Sequence, residues 1–204
     1  MESSIITISR EYGSGGREIG SKLAEKLGIK FYDNELLDRA AKDSGICQEL
    51  FENHDEKPSS SFLYSLVMDT YSMGYASAAL SGMPINHKVF LAQFNAIKEI
   101  AKEGPCVMVG RCADYVLQDV ETSKSIFLYA PYEVRLATVM GRYSLDEKKA
   151  DKLIQKVDKD RSYYYNYYTD QYWEDMENYD VCFDTNAFSQ EQLLDLLEAL
   201  YKTL

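Results

Sequence analysis

The sequence predicts an α/β fold with a five-stranded, mostly parallel sheet and two helical insertions. Three observations carry that reading. Five short, near-continuous apolar runs lie at 4–9, 29–33, 105–110, 125–130 and 179–185, the pattern of strands covered on both faces. Each is followed by a helical segment, as crossover connections require. Between the first strand and the first helix lies the glycine-rich turn "REYGSGG" (10–16).

"SIITIS" (4–9) is the first strand, and "REIGSKLAEKLG" (17–28) sets Ile19, Leu23 and Leu27 on one helical face, with Gly28 as its stop. "IKFYD" (29–33) and "NELLDRAAKDSG" (34–45) form the second strand–helix pair. The polar "ENHDEKPSSS" (52–61) reads as a loop, and 62–81 as an irregular helical stretch. "HKVFLAQFNAIKEIAKEG" (87–104) is amphipathic and ends at Gly104; "PCVMVG" (105–110) and the short helix "RCADYVLQD" follow. After "SIFLYA" (125–130), Pro131 suits the first turn of the helix 131–143. A charged, tyrosine-rich helical stretch covers 146 to about 170. After "YDVCFDT" (179–185) comes an amphipathic helix, 189–204, with Ser189 as cap and Gln192 in the capping-box position.

At 204 residues the chain is long enough for one core. The formal net charge of -11 argues against gripping a nucleic-acid polymer or an anionic membrane through bulk electrostatics, but leaves room for a local cationic pocket. "MESSIITISREYG" shows no basic-then-apolar leader and no run approaches a membrane span, so the cytoplasm is the expected compartment. Cys47, Cys106, Cys112 and Cys182 form no C-x-x-C pair; Cys106 and Cys182 read as buried thiols in strands. His54 and His87 fall outside every motif and read as surface residues.

In the glycine turn, Gly13, Gly15 and Gly16 permit positive φ and close approach of backbone to a ligand. The helix that begins near Arg17 points its N-terminal amides at the same place, which makes an anion site. Arg17 and Arg10 are adjacent cations suited to phosphate. The other reading of the stretch is a turn of the chain with Arg17 as a solvated side chain. It is not a dinucleotide fingerprint, because Gly13, Gly15 and Gly20 do not fit G-x-G-x-x-G.

"IITISREYGSGGREIGSKLAEKLG", "FYDNELLDRAA", "VMVGRCADYVL", "SIFLYAPYEVRLATV", "VDKDRSYYYNYYT" and "YDVCFDTNAFSQEQLLDLL", in this order and spacing, resemble the cytidylate kinase-like family within the P-loop nucleoside-monophosphate kinases. The resemblance implies a single three-layer P-loop domain over 1–204, with an acceptor-side helical insertion at about 45–104 and a lid-like segment at about 142–172. It implies transfer of the ATP γ-phosphoryl group to a nucleoside monophosphate, most simply CMP, with ATP and Mg2+ as cofactors. A different small acceptor, or nucleotide binding without catalysis, are the alternatives.

The same resemblance assigns residues. Arg10, Gly13, Ser14, Gly15, Gly16, Arg17 and Glu18 form the donor loop. Gly16 stands where such loops carry lysine, Arg17 where they carry the hydroxyl residue that holds magnesium, and Arg10 where they carry their first glycine. The magnesium ligands are therefore unassigned. Asp33 and, six residues on, Arg39 fall on the acceptor side with Arg111. Cys112 replaces the aspartate that helps to read cytosine, with Asp114 as its candidate substitute. Arg142 and Arg161, with Arg17, are the candidates for the transferring group; Arg135 and Lys159 are further lid cations. "SYYYNYYTDQYW" (162–173) reads as packing against the domain or a partner subunit, so a homodimer is one possible assembly.

Overall fold

A computed structural model describes residues 4–45 and 84–204. The stretches 52–61 and 62–81, with His54 and Cys47, lie outside the described residues. The elements are β1 (Ile5–Arg10), α1 (Gly16–Leu27), β2 (Lys30–Tyr32), α2 (Asn34–Ser44), α3 (Ile85–Glu103), β3 (Cys106–Val109), α4 (Ala113–Val116), β4 (Ser123–Tyr129), α5 (Tyr132–Tyr143), α6 (Glu147–Thr169), a 3-10 turn (Met176–Asn178), β5 (Val181–Asp184) and α7 (Gln190–Tyr201).

The sheet is parallel throughout, in the order β2-β3-β1-β4-β5. Its two faces follow from the period of two in β1. Ile6 and Ile8, with Val107, Val109, Ile126 and Leu128, pack on Ile19 and Leu23 of α1 and Leu193 and Leu197 of α7. Ile5, Cys106 and Met108 pack the other way, on Leu36, Ile97, Ile100, Val116 and Leu117. Each such fully buried aliphatic side chain contributes about 1.5–3 kcal/mol. Gly20 lets α1 lie close on the sheet, since a Cβ there would meet Ile8 Cδ1 at 3.1 Å and Val109 Cγ2 at 3.2 Å.

Helix ends follow their sequence signals, with one shift. Gly28 closes α1 in the left-handed conformation, and Ser189 and Gln192 form a capping box on α7. Pro131 sits at the cap of α5 rather than in its first turn. The tyrosine-rich stretch is one continuous helix, capped by Asp146. Tyr164, Tyr165 and Tyr168 are buried with Phe90, Phe127, Trp173 and Tyr179 in an aromatic core of this chain. His87 is a correction: it is 2% exposed, its ring meets those of Tyr167 and Tyr168, and burial lowers its pKa. Cys106 is fully buried, whereas Cys182 is only partly so.

The connections from β1 and β3 leave in opposite directions, since β1 leads to β2 beyond β3 and β3 leads to β4 beyond β1. The crevice outside the carboxyl ends of these strands is where an open α/β sheet receives ligands.

Candidate active site

The loop that leaves β1 at that crevice is held by contacts with the rest of the chain. Glu11 N–H donates to the Leu128 carbonyl and its carboxylate accepts from Ala130 N–H. Tyr12 N–H donates to Asp158 of α6 at 2.7 Å. Asp158 also pairs with Arg135 of α5 at 2.6 Å, and Arg135 donates to the Tyr12 carbonyl at 3.2 Å and meets Glu11 at 3.2 Å. The Thr185 hydroxyl holds the Ser14 carbonyl at 2.9 Å. Strand β4, helices α5 and α6, and Thr185 beyond β5 thus pin the loop.

Gly13 has φ +86°, and a Cβ there would lie 2.9 Å from the Arg135 carbonyl oxygen. No side chain fits between this turn and α5. Helix α1 begins at Gly16, so its first amides have no partners within the helix and face the loop's concave side. A cavity of about 110 Å³ lies there, with Arg10, Gly13, Gly15, Gly16 and Arg17 in its wall and Arg142 and Arg161 across from them. Arg161 donates to the Arg10 carbonyl at 3.0 Å and lies over the Tyr12 ring. Arg142 is 3.7 Å from Glu18.

The second half of the site is built on Asp33, the cap residue of α2, which is 4% exposed. Its Oδ1 accepts from Arg111 at 2.6 Å and its Oδ2 from Arg17 at 2.5 Å. Burial opposes ionisation of Asp33. The Arg111 charge and the hydrogen bonds from Arg17 and Arg111 outweigh it, with Arg10 adding to them, and hold the carboxyl below its ordinary range. Arg111 is itself buried and also donates to the Val109 carbonyl at 3.1 Å. It is aimed by an unusual turn: Gly110, Arg111 and Cys112 have φ of 76°, 54° and 56° in succession. For the two non-glycine residues this costs about 1–2 kcal/mol each. Such strain persists where surrounding contacts fix it, and it clusters at functional sites.

Three expected site residues are placed elsewhere. Arg39 is turned to Asp43, at 2.5 Å, and to Glu103, at 2.7 Å, so its charge goes to the strands' amino end rather than to Asp33. Glu18 lies on the outer face of α1 with Lys22 at 2.9 Å and Gln190 at 3.2 Å. Asp114 is buried, accepting from Tyr165 at 2.7 Å and from Ser9 at 3.4 Å. Burial pushes its carboxyl up to about 6 against those hydrogen bonds. It joins β1 to α6 and is not offered to the crevice.

The arrangement does not fit magnesium in the manner of standard loops. Residue 17 carries no hydroxyl, the Ser14 hydroxyl is turned to the Glu11 carbonyl at 2.9 Å, and Asp33 is held by two arginines. Among the described residues no group of three or more His, Cys, Asp or Glu is placed to hold a metal. Cations reach the crevice as arginine side chains instead: Arg10, Arg17, Arg111, Arg142 and Arg161 line its two adjoining recesses.

The brace of Glu11, Arg135 and Asp158 escapes the sequence reading, in which Arg135 is a lid cation. A signal exists: Asp158 and Arg161, three apart on one helix face, both reach the loop.

A parallel sheet ordered 2-3-1-4-5, with a phosphate-type loop after its central strand, defines a P-loop kinase fold. A shikimate kinase structure from Bacteroides thetaiotaomicron shares it, with TM-score 0.55 and 16% identity over 97% of this chain and 98% of that one. An uncharacterized protein from Eubacterium ventriosum superposes with TM-score 0.74 and 28% identity over 99% and 100% of the two chains. The sequence model of the cytidylate kinase-like family matches residues 5–187, and the chain belongs to that family. A cytidylate kinase of Methanopyrus kandleri is 26% identical over 205 residues, covering 96% of this chain and 91% of its own. One from Pyrococcus horikoshii is 26% identical over 197 residues, covering 96% and 86%.

Proposed function

We propose that this protein transfers the γ-phosphoryl group of ATP to a nucleoside monophosphate, most simply CMP. Family membership and fold support a nucleotide kinase. The observation that supports the finer reading is the cluster of Arg17, Asp33 and Arg111 beside the braced glycine loop, two cations held together where an acceptor phosphate could meet them. ATP phosphates lie on the loop from Gly13 to Gly16 and the start of α1. The acceptor phosphate meets Arg111 and Arg17, and Arg142 and Arg161 flank the transferring group. An acceptor phosphate oxygen attacks the γ-phosphorus in line, the bond to the β–γ bridging oxygen breaks, and ADP leaves. The transferring group spreads its charge over three oxygens, so convergent cations matter more than a general base. No loop side chain is assigned to Mg2+; bound by the ATP phosphates themselves, it would supply positive charge there.

The test is ADP release from ATP and Mg2+ with CMP, dCMP, UMP, AMP and GMP supplied separately. CMP-dependent release at rates of order 1–100 per second is the expected outcome. ATP binding without release for any monophosphate defeats this reading. Cys112, at the place of the family's base-reading aspartate, favours one second reading: a different small acceptor in the same pocket. A screen of phosphorylatable metabolites with labelled ATP separates the two.

A further inference from the structure

The loop lacks lysine at residue 16, and the packing around Gly16 shows what stands there instead. Gly16 is buried, and a Cβ on it would lie 2.6 Å from Arg10 Cβ, 3.0 Å from Arg10 Cγ and 3.5 Å from Leu128 Cδ1. The first atoms of any side chain at 16 would coincide with the stem of Arg10. One side chain's worth of space exists, and Arg10 fills it from the last position of β1.

The head of Arg10 lies between the two halves of the site. Arg10 lines both the cavity of the phosphate loop and the recess under Arg111 and Cys112. Its charge reaches Asp33 and favours the ionised carboxylate. Its backbone is fixed, since its carbonyl accepts from Arg161 and the residue pairs in register with Leu128 of β4. Arg17, the other cation of the loop, is drawn away to Asp33, with which it shares a 2.5 Å contact. Arg17 lines the same cavity, but its guanidinium is engaged by Asp33; of the loop's two cations, Arg10 is the one whose stem fills the side-chain space of Gly16.

We infer that Arg10 is the donor-phosphate cation of this loop, supplied from the strand end instead of the helix start, and that Gly16 is glycine because Arg10 occupies its side-chain space. The assignment rests on the kinase reading for its catalytic part only; its ATP-binding part stands on the loop geometry. A guanidinium there offers two parallel donors to phosphate oxygens where a lysine offers a point charge.

The experiment uses the full chain with Arg10→Ala, Arg10→Lys, Gly16→Ala, Arg10→Gly/Gly16→Ala and Arg10→Gly/Gly16→Lys, each checked by thermal melting. Affinity for ATP and ADP is measured by titration calorimetry, and turnover with the acceptor that the wild type uses. Arg10→Ala should weaken ATP binding at least tenfold and lower turnover about 10²–10³-fold, the loss usual for one transition-state donor. Arg10→Lys should recover part of both. Gly16→Ala should lower the melting temperature in the Arg10 background and not in the Arg10→Gly background. Arg10→Gly/Gly16→Lys should bind ATP at least tenfold better than Arg10→Ala. Wild-type ATP affinity and turnover in Arg10→Ala would overturn the assignment while leaving the kinase intact. A wild type that binds ATP but turns over no acceptor defeats the kinase reading, and the loss of ATP affinity in Arg10→Ala then still decides the role of Arg10. Equal effects of Gly16→Ala in both backgrounds overturn the shared-space argument.

Discussion

Asp114→Asn separates two roles that one buried acid can play: reading a base, or tying β1 to α6. The side chain accepts from Tyr165 and Ser9, and its carboxyl is pushed up to about 6 by burial, against an ordinary 3.8. A pKa raised on folding means that the folded state prefers the neutral acid. That contribution is fully present below about pH 4 and is lost as pH rises through 6. The full loss is about 3 kcal/mol, of which between about 1 and 2 kcal/mol develops between pH 5 and pH 8. Asparagine is neutral at both pH values, keeps an oxygen for Tyr165 and offers an amide donor to Ser9. The stability of Asp114→Asn minus that of the wild type should therefore grow by between about 1 and 2 kcal/mol from pH 5 to pH 8. Urea titrations at the two pH values measure it. Asp33, held below its usual range, and His87, lowered by burial, tilt the wild-type curve the other way, but they are present in both proteins and cancel in the difference. An unchanged gap refutes the buried-acid argument. A tenfold rise in KM for CMP with no such gap returns Asp114 to the acceptor pocket.

Arg111→Ala should raise the acceptor KM at least tenfold while leaving ATP affinity within about twofold, since its guanidinium serves Asp33 and the acceptor side; steady-state kinetics with each substrate varied checks this. Gly13→Ala should destabilise the protein by at least about 1 kcal/mol from its left-handed backbone alone, more with the contact against Arg135, and lower the melting temperature by about 2–4 °C per kcal/mol. Asp158→Asn keeps an acceptor for Tyr12 N–H but removes the charge facing Arg135, and should cost about 2–4 kcal/mol in urea unfolding, the pair being largely buried. A loss under 0.5 kcal/mol there means that the loop is held without this brace.

Most of the fold is legible because burial on two sides leaves a plain mark. The strands are apolar runs, each helix shows its own periodicity, and the caps at Gly28 and Ser189 are where their residue types put them. The burial of His87 is hidden from the sequence for a physical reason. A histidine at a helix start and outside every motif looks solvated in sequence, and only the packing of α3 on α6 shows the aromatic wall that receives it. The left-handed run Gly110–Cys112 was not legible either, since arginine and cysteine carry no preference for positive φ. It is fixed by what Arg111 reaches at its far end.

The site was legible as a set of arginines and not as a division of labour among them. Sequence spacing puts Arg17 at the helix start, the natural heir to a missing loop cation. It cannot show that Asp33, sixteen residues on, engages that arginine together with Arg111. Nor can spacing show that Gly16 and Arg10 compete for one volume, which is a fact of β1 lying beside the first turn of α1. The glycine and the arginine make one rearrangement: if the lysine's place is filled from the strand, the helix start must be bare, and the next arginine is released to the acceptor. On this argument the loss of lysine at 16 and of the hydroxyl at 17 does not mark a disabled loop. Under the proposed role of Arg10, it marks a loop in which an arginine from β1 takes up the charge that a lysine carries elsewhere. The order of sensitivity should then be Arg10 over Arg17 for ATP binding, and the reverse for the acceptor.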